Sequence, residues 1–202
     1  MKELDLEELD KFDSVVFDLD GTLVNSMCFH IKAWQDVMKQ YEIDVDYDWL
    51  YARGGVPSRY IAKELIEIHN LKDVDAYTLA DKKADNYKSN INKVEVYPRM
   101  YEVLEYLKKH NIPMAIGTGT LRSNADYIVA NTELHKFIKV VITAEDVVNH
   151  KPHPETFVKA CLEVSGTPSN SVVFEDTVLG VEASKNGGFA TVFVKDGIPY
   201  IL

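Results

Sequence analysis

The sequence predicts an α/β protein with a doubly wound parallel sheet and an inserted all-helical segment. Short, almost continuously apolar runs alternate with amphipathic helical patterns, as in sheets that helices cover on both faces. Between the first apolar run and the second lie more than ninety residues without a convincing strand pattern. A right-handed β–α–β crossover needs far fewer residues, so this interval indicates an insertion.

Five apolar runs are predicted to form the strands: residues 14–18, 112–118, 139–146, 171–176 and 190–194. The later intervals carry helical patterns over residues 99–111, 121–134, 154–166 and 179–188. Pro154 suits a first helical turn, and Gly166 and the Gly187–Gly188 pair are typical helix stops. Strand and helix therefore alternate through the second half of the chain.

The long interval is predicted to form a helical domain of its own. It contains amphipathic patterns over residues 29–41, 58–70 and 77–91. We expect residues 27–92 to form the helical domain and residues 1–26 with 93–202 to form the α/β core. The chain is expected to cross between them near residues 24–27 and 92–98, and the N-terminal LDLEELDKF to form a short amphipathic helix.

Composition limits the class of protein. The 202 residues are 46% hydrophobic, which supports a sizeable packed core. A net charge of −10 argues against a nucleic-acid partner, because phosphate backbones select basic faces. The two cysteines are far apart, the N-terminus has no signal-peptide pattern, and no apolar run reaches the ~18 residues that span a bilayer. We expect a cytoplasmic protein with free thiols and no membrane partner; its oligomeric state stays open.

Polar residues follow the ends of four predicted strands, where ligands bind in open α/β sheets. In chain order they are Asp18 and Asp20, then Thr118, Gly119 and Thr120, then Lys151 in the loop after the third of these strands, then Glu175 and Asp176. Carboxylates, hydroxyls, a glycine amide and an ammonium are groups that bind a metal ion and a phosphate. The sequence therefore predicts a phosphate-processing metal site at this edge of the sheet.

The acidic residues suit a magnesium ion. Asp18 and Asp20 are two positions apart, so in extended chain their side chains point the same way. With Asp176 from another strand they form the oxygen cluster that Mg²⁺ prefers. Gly21 lets the backbone turn sharply beside the metal.

The remaining residues suit phosphoryl transfer. The Thr118 hydroxyl, the Gly119 amide and the Lys151 ammonium can hold the transferring oxygens. One carboxylate can attack phosphorus and form an aspartyl phosphate, and the other can protonate the leaving oxygen and later deprotonate water.

Four motifs carry a family resemblance: FDLDGTLVNS, IGTGT, HKPHPETF and VVFEDTVLGVEA. In this order they resemble the haloacid dehalogenase superfamily of phosphatases and phosphomutases, and the match covers nearly the whole chain. The helical insert is similar to that superfamily's small helical cap. The chain looks most like the subgroup of sugar-phosphate phosphatases and β-phosphoglucomutases. The resemblance implies a Rossmann-like core, Mg²⁺ as cofactor and a small phosphorylated metabolite as partner.

The resemblance also implies a role for each acidic residue. Asp18 would be the nucleophile and a metal ligand. Asp20 would be the acid and base, with its backbone carbonyl on the metal. Asp176, helped by Glu175, would complete the Mg²⁺ site. The chain ends soon after its predicted last strand, earlier than relatives with a further strand and helix, which leaves the outer edge of the sheet open.

For the phosphate and the substrate, the resemblance implies a second group of residues. Thr118 and Lys151 would bind phosphate. His30 matches a histidine that β-phosphoglucomutases use near the acid/base residue, and Arg59 and Lys83 match cap positions that touch substrate. A solvated helix face is the alternative for these three residues.

Thr120 and Arg122 lie near the phosphate end by spacing. The alternatives are a helix cap for Thr120 and a surface cation for Arg122.

Three functions compete. The first is a Mg²⁺-dependent phosphatase acting on a small phosphorylated metabolite, with hydrolysis favoured because two motifs look closer to the fructose-1-phosphatase-like branch. The second is a β-phosphoglucomutase-like phosphomutase on the same residues. The third is a signalling receiver domain, whose phosphorylated Asp follows its third strand and which needs no helical insert; the sequence disfavours it.

Overall fold

A computed structural model describes residues 1–202 and confirms the α/β class. One sheet contains seven strands in the order β1-β7-β6-β5-β2-β3-β4. The strands are β1 (Lys2–Glu3), β2 (Ser14–Phe17), β3 (Met114–Gly117), β4 (Val140–Ile142), β5 (Ser171–Glu175), β6 (Ala190–Lys195) and β7 (Ile198–Ile201). Strands β6, β5, β2, β3 and β4 are parallel, while β7 and β1 add antiparallel at the β6 edge.

Eight α-helices accompany the sheet: α1 (Met27–Lys39), α2 (Tyr47–Tyr51), α3 (Ser58–Ile68), α4 (Ala76–Lys88), α5 (Pro98–Lys109), α6 (Arg122–Asn131), α7 (Glu155–Glu163) and α8 (Val178–Asn186). The first four lie between β2 and β3, so the long interval is helical as the sequence predicts. None of these helices combines the length and the apolar character needed to cross a membrane.

The register of the parallel strands brings their carboxyl ends to one edge. Phe17, near the end of β2, pairs with Ile116 of β3 on one side and with Phe174 of β5 on the other. All three side chains are buried. This central position, covered on both faces, explains why the strands read as continuous apolar runs. The residues that follow β2, β3 and β5 must therefore lie close together.

The helices between β2 and β3 bury an apolar cluster of their own. Its eleven buried members all lie between Ile31 and Leu79, and they include Trp34, Met38 and Leu65. The two chain crossings run side by side: the Asn25 side-chain oxygen accepts from the Glu95 backbone N–H at 2.8 Å, and the Asn25 N–H donates to the Glu95 carbonyl at 3.0 Å. Two adjacent connecting segments, at Asn25 and Glu95, therefore join the helical insert to the sheet.

Two expectations from the sequence were wrong in detail, and one helix was not predicted. The run over 139–146 is a strand only at Val140–Ile142, because Thr143 and Asp146 form a reciprocal capping box that starts a 3-10 helix at Ala144–Asp146. The N-terminal segment forms a 3-10 helix at Leu6–Leu9 preceded by β1. Helix α2 carried no pattern that we recognised.

Strand β7 closes the edge that the sequence left open. It follows a two-residue turn at Asp196–Gly197, where both residues have positive φ, 51° and 77°. An Asp-Gly pair between apolar runs is a strong hairpin signal, and it was overlooked.

Candidate active site

The ends of three neighbouring strands supply the centre of the site. Asp18 follows β2, Thr118 follows β3, and Asp176 follows β5. Backbone hydrogen bonds of 2.9 Å continue the ladder past the strands, from Asp18 N–H to the Phe174 carbonyl and from Thr118 N–H to the Ile142 carbonyl. All three side chains are buried. The predicted convergence of these residues is present in the structure.

Lys151 bridges two of the buried carboxylates. Its Nζ donates to Asp18 Oδ1 at 2.5 Å and to Glu175 Oε2 at 2.7 Å, and only 2% of its side chain is exposed. Burial lowers the pKa of Lys151, but the two carboxylates outweigh burial and leave that pKa above its ordinary value. The lysine therefore stays charged at the centre of the site.

The loop that carries Lys151 is fixed by the start of α7. The Glu155 carboxylate accepts from the backbone N–H groups of Val148 and Asn149 at 2.9 and 3.0 Å. An acidic side chain in a first helical turn is favoured by the free amides there. This local arrangement aims the lysine back toward β2.

Glu175 has no free oxygen. Its Oε2 accepts from Lys151, and its Oε1 accepts from the backbone N–H groups of Asp176 and Thr177 at 3.1 and 2.8 Å and from the Thr177 hydroxyl at 2.7 Å. A Cβ at Gly180 would come within 2.0 Å of Glu175 Cδ, so only glycine leaves room for this carboxylate. Glu175 is placed to hold Lys151.

Asp176 has one oxygen without a partner. Its Oδ1 accepts from the Thr22 hydroxyl at 2.9 Å, whereas its buried Oδ2 forms no hydrogen bond. Oxygens of Asp18, Glu175 and Asp176 lie within 4.8 Å of one another. Burial, then the neighbouring acids, raise the pKa of Asp176 well above its ordinary value. An unpaired oxygen in a buried carboxylate cluster is the donor set that a hard cation fits.

Asp18 belongs to the same uncompensated cluster. Burial raises its pKa to about 8, Lys151 opposes the rise, and Glu175 and Asp20 add to it. Gly21, with φ of +82°, passes so close that a Cβ would lie 2.2 Å from Asp176 Oδ2. The glycine in the DxDG sequence is therefore required both by its backbone conformation and by the space beside the unpaired oxygen.

Asp20 sits in a different environment. Its Oδ1 accepts from the Ser26 hydroxyl at 2.5 Å and lies 3.2 Å from His30 Nε2, and its Oδ2 accepts from the Thr120 hydroxyl. Burial raises its pKa, but His30, Ser26 and Thr120 together bring the pKa below its ordinary value. The pKa values of two carboxylates two residues apart are thus pushed in opposite directions by their surroundings.

His30 connects Asp20 to the helical insert. Its Nδ1 lies 2.7 Å from Lys83 Nζ, and its ring stacks on Tyr87 with centroids 3.9 Å apart. Because an ammonium can only donate, Nδ1 must accept and Nε2 must carry the proton that faces Asp20. Burial lowers the pKa of Lys83 to about 8, and burial with the Lys83 charge lowers that of His30.

A cavity of about 380 Å³ opens between the helical insert and the sheet edge. Asp20, His30 and Lys83 line it together with Arg59 and Thr120. None of Asp18, Thr118, Lys151 or Asp176 lines it. The cavity therefore borders the Asp20 side of the site and can accept the organic part of a ligand.

Residues 15–194 match the haloacid dehalogenase-like hydrolase family. The chain belongs to this family. It is 32% identical over 187 residues to fructose-1-phosphate phosphatase YqaB of Escherichia coli, covering 92% of this chain and 98% of that one. It is 28% identical over 190 residues to the phosphorylated carbohydrates phosphatase of Thermotoga maritima, covering 90% and 84%. The fold is similar to β-phosphoglucomutase from Clostridium difficile, with a TM-score of 0.82, 22% identity and coverage of 91% and 85%.

Membership of this family confirms the recognition from the four motifs and the prediction of a hydrolase. Arg122 is the predicted residue that the structure directs elsewhere: its guanidinium donates to Asp146 and to the Val141 carbonyl at 3.0 Å, and it does not line the cavity. This favours the surface-cation alternative for Arg122. Arg59 lines the cavity and is exposed, without a carboxylate partner.

Two residues in contact with the acids were missed. Thr22 bonds Asp176 and Ser26 bonds Asp20. Both lie in the FDLDGTLVNS motif, where hydroxyls at short spacing after an acid pair were the available signal.

Proposed function

We propose that the protein is a Mg²⁺-dependent phosphatase that hydrolyses a small phosphorylated metabolite, a sugar phosphate, through an aspartyl phosphate on Asp18. One observation carries the proposal. Asp18 lies between a buried ammonium, Lys151, and a carboxylate oxygen of Asp176 that has no partner. A nucleophilic carboxylate flanked by a cation and by an unpaired carboxylate oxygen that can bind a metal ion matches the needs of phosphoryl transfer. The two relatives named above as phosphatases support the same reaction class.

Asp18 and Asp176, with the Asp20 backbone carbonyl, are the groups we propose to hold Mg²⁺. When bound, the ion would offset the repulsion among the acids and the negative charge of the phosphate. Glu175 supports the site by holding Lys151, because its own oxygens are already hydrogen bonded.

In the first step an Asp18 oxygen attacks phosphorus and the ester P–O bond breaks. Asp20 gives its proton to the leaving oxygen. In the second step Asp20 takes a proton from water, whose oxygen attacks phosphorus and breaks the Asp18–phosphorus bond. Thr118, Gly119 and Lys151 are placed to hold the phosphoryl oxygens throughout.

The helical insert, residues 27–92, is proposed to act as a cap over the leaving group. It contributes His30 and Lys83 to the cavity, and the two adjacent crossings at Asn25 and Glu95 form a narrow connection to the core. A cap of this kind excludes water and reads the substrate. A cytoplasmic location and the absence of nucleic-acid partners stay predictions.

A phosphomutase is the second candidate, and the His30 contact with Asp20 favours it. Incubation with β-glucose 1-phosphate and its 1,6-bisphosphate separates the two. Free phosphate indicates the phosphatase, and glucose 6-phosphate indicates the mutase.

The main test is a phosphate-release screen over about a hundred phosphorylated metabolites with Mg²⁺. We expect release from one or more sugar phosphates, none after chelation with EDTA, and none from the Asp18→Asn variant. If release persists in EDTA or in Asp18→Asn, the proposed chemistry is wrong.

A further inference from the structure

Asn124 is a buried amide in the first turn of α6, and it lines the cavity. The residue is only 8% exposed. Its backbone N–H bonds the Leu121 carbonyl at 3.1 Å, but its side chain neither caps the helix nor forms any other hydrogen bond within the chain. Neither polar atom of the carboxamide is fully buried, so the amide is open to the cavity, where a ligand can reach it.

Local structure does not explain an asparagine here. Asparagine is a poor former of helix interiors, and it usually serves helices by capping them. Other side chains form the hydrogen bonds at the start of α6. The Glu145 carboxylate accepts from the Arg122 backbone N–H at 2.6 Å, and the Arg122 side chain pairs with Asp146. These bonds fix the first turn and leave the carboxamide of Asn124 to the cavity.

Asn124 lies beside the space that the organic part of a substrate would occupy. The cavity reaches Asp20, which would protonate the leaving oxygen, and touches the phosphate-binding group only at Gly119, since neither Thr118 nor Lys151 lines it. A neutral carboxamide offers both a donor and an acceptor, as an alcohol hydroxyl does, and it carries no charge for a phosphate. Asn124 also lines a groove that continues from the cavity along Asp81 and Lys88 of α4.

We propose that the carboxamide of Asn124 hydrogen-bonds a hydroxyl of the substrate's carbohydrate part and so selects polyhydroxylated leaving groups. The inference rests on the proposed phosphatase function. A site with a waiting polar group rejects an analogue without the matching hydroxyl, because the group is then left unpaired. The contact is available in both the bound substrate and the transition state, so its loss acts on KM more than on kcat.

The experiment compares two substrates and three variants. Fructose 1-phosphate carries several hydroxyls, and p-nitrophenyl phosphate carries none on its leaving group. Asn124→Leu removes the amide at similar volume, Asn124→Ala truncates it, and Asn131→Ala is the control, an exposed asparagine at the far end of the same helix that lines neither the cavity nor the groove. Each protein is measured for kcat and KM with Mg²⁺ and for thermal unfolding.

For both Asn124 variants we expect kcat/KM for fructose 1-phosphate to fall by about 3- to 20-fold, mainly through KM. Turnover of p-nitrophenyl phosphate should change less than twofold, and the unfolding temperatures of both variants should stay near that of the wild type. Asn131→Ala should resemble the wild type on both substrates.

Equal losses on both substrates would overturn the inference, since they indicate a structural role. Unchanged turnover of both substrates would also overturn the inference, because it would indicate that Asn124 does not contact the substrate. If the wild type hydrolyses p-nitrophenyl phosphate but no sugar phosphate, the proposed role of Asn124 is wrong and the proposed phosphatase chemistry is retained. If it hydrolyses neither, the proposed function falls and this inference falls with it.

Discussion

The ammonium of Lys151 lies 2.5 Å from Oδ1 of Asp18, and the exposed fractions of the two side chains are 2% and 8%. A pair buried to this degree is costly to break from either side, because the remaining charge has no solvent to stabilise it. Glu175 holds the same ammonium from the opposite side at 2.7 Å. The orientation of the Asp18 carboxylate is therefore set by two residues from other elements of the fold.

The first prediction concerns Asp18 itself. Asp18→Asn keeps an oxygen that can accept from Lys151 but removes the nucleophilic charge. We expect turnover to fall by about 10⁴-fold or more. The melting temperature should stay near that of the wild type, because Glu175 still pairs with Lys151 and the loss of one acid relieves the crowded cluster. Steady-state kinetics and thermal unfolding measure these quantities, with Asp13→Asn, an exposed acid just before β2, as the control. Near-normal turnover by Asp18→Asn would exclude Asp18 as the nucleophile.

The second prediction concerns metal removal. Asp18, Glu175 and Asp176 bring buried oxygens within 4.8 Å of one another, and Lys151 offsets only part of their charge. A cation that binds only the folded state raises the free energy of unfolding by RT ln(1 + c/Kd), where c is the cation concentration. We expect millimolar Mg²⁺ to raise the melting temperature above that measured in EDTA. Asp176→Asn should abolish this rise, and Asp196→Asn, an exposed acid in the β6–β7 turn, should keep it. A full Mg²⁺ response from Asp176→Asn would rule out Asp176 as a ligand.

The third prediction separates backbone strain from crowding at Gly21. Gly21 and Gly188 have almost the same positive φ, +82° and +78°. A Cβ at Gly21 would lie 2.2 Å from Asp176 Oδ2, whereas nothing lies within 4 Å of one at Gly188. Each Gly→Ala change should cost about 1–2 kcal/mol of unfolding free energy from the backbone alone. Only Gly21→Ala should also lose Mg²⁺-dependent turnover, by about tenfold or more, as Asp176 is displaced.

Denaturant unfolding and kinetics on the two alanine variants check this prediction. Equal turnover by Gly21→Ala and Gly188→Ala would mean that the Asp176 oxygen tolerates the added methyl group.

Sequence patterns predicted the positions of the site residues more accurately than they predicted the strands at the edge of the sheet. Asp18, Thr118 and Asp176 directly follow buried parallel strands, so strand order alone brought these three together. Strand β7 depends on a two-residue turn and pairs with β6 and with the two-residue β1 at the margin of the sheet, where it is only partly buried, so its apolar pattern is weaker than that of a central strand.

The spacing of residues along the sequence did not predict the direction in which each side chain points. Arg122 and Asn124 are two positions apart on α6, yet one pairs with Asp146 and the other lines the cavity. On a helix, residues two apart do not face the same way, so the choice between them required the packing of α6 against β4 and the insert. The engaged oxygens of Glu175 are a second example, because they depend on the conformation of the turn at Thr177.

The fourth prediction concerns Lys83 and the pH dependence of activity. Burial lowers the pKa of this lysine to about 8 from its ordinary 10.5. The ammonium is therefore charged below about pH 8 and largely neutral above it. It faces His30 Nδ1 at 2.7 Å and lines the cavity with Asp20, where a positive charge attracts a phosphorylated substrate. We expect kcat/KM of the wild type to fall as pH rises through about 8.

Lys83→Met removes the charge at every pH. Its kcat/KM should be about tenfold or more below that of the wild type at pH 7 and should approach it above pH 9. The control is Lys82→Met, an exposed neighbour on the same helix, which should keep the wild-type profile. Parallel profiles for the wild type and Lys83→Met would assign the alkaline fall to another group.

The same shift has a consequence for stability, and its sign follows from proton binding. The folded state releases the Lys83 proton at about pH 8, whereas an unfolded lysine holds it to its ordinary pKa of 10.5. Between these values the unfolded state binds more protons, so the free energy of unfolding rises with pH in this window. The wild type should therefore gain stability relative to Lys83→Met between pH 8 and 10.5, measured by urea unfolding at each pH. A constant difference between the two proteins across that window would show that Lys83 keeps an ordinary pKa in the folded state, and the kinetic prediction would then lose its physical basis.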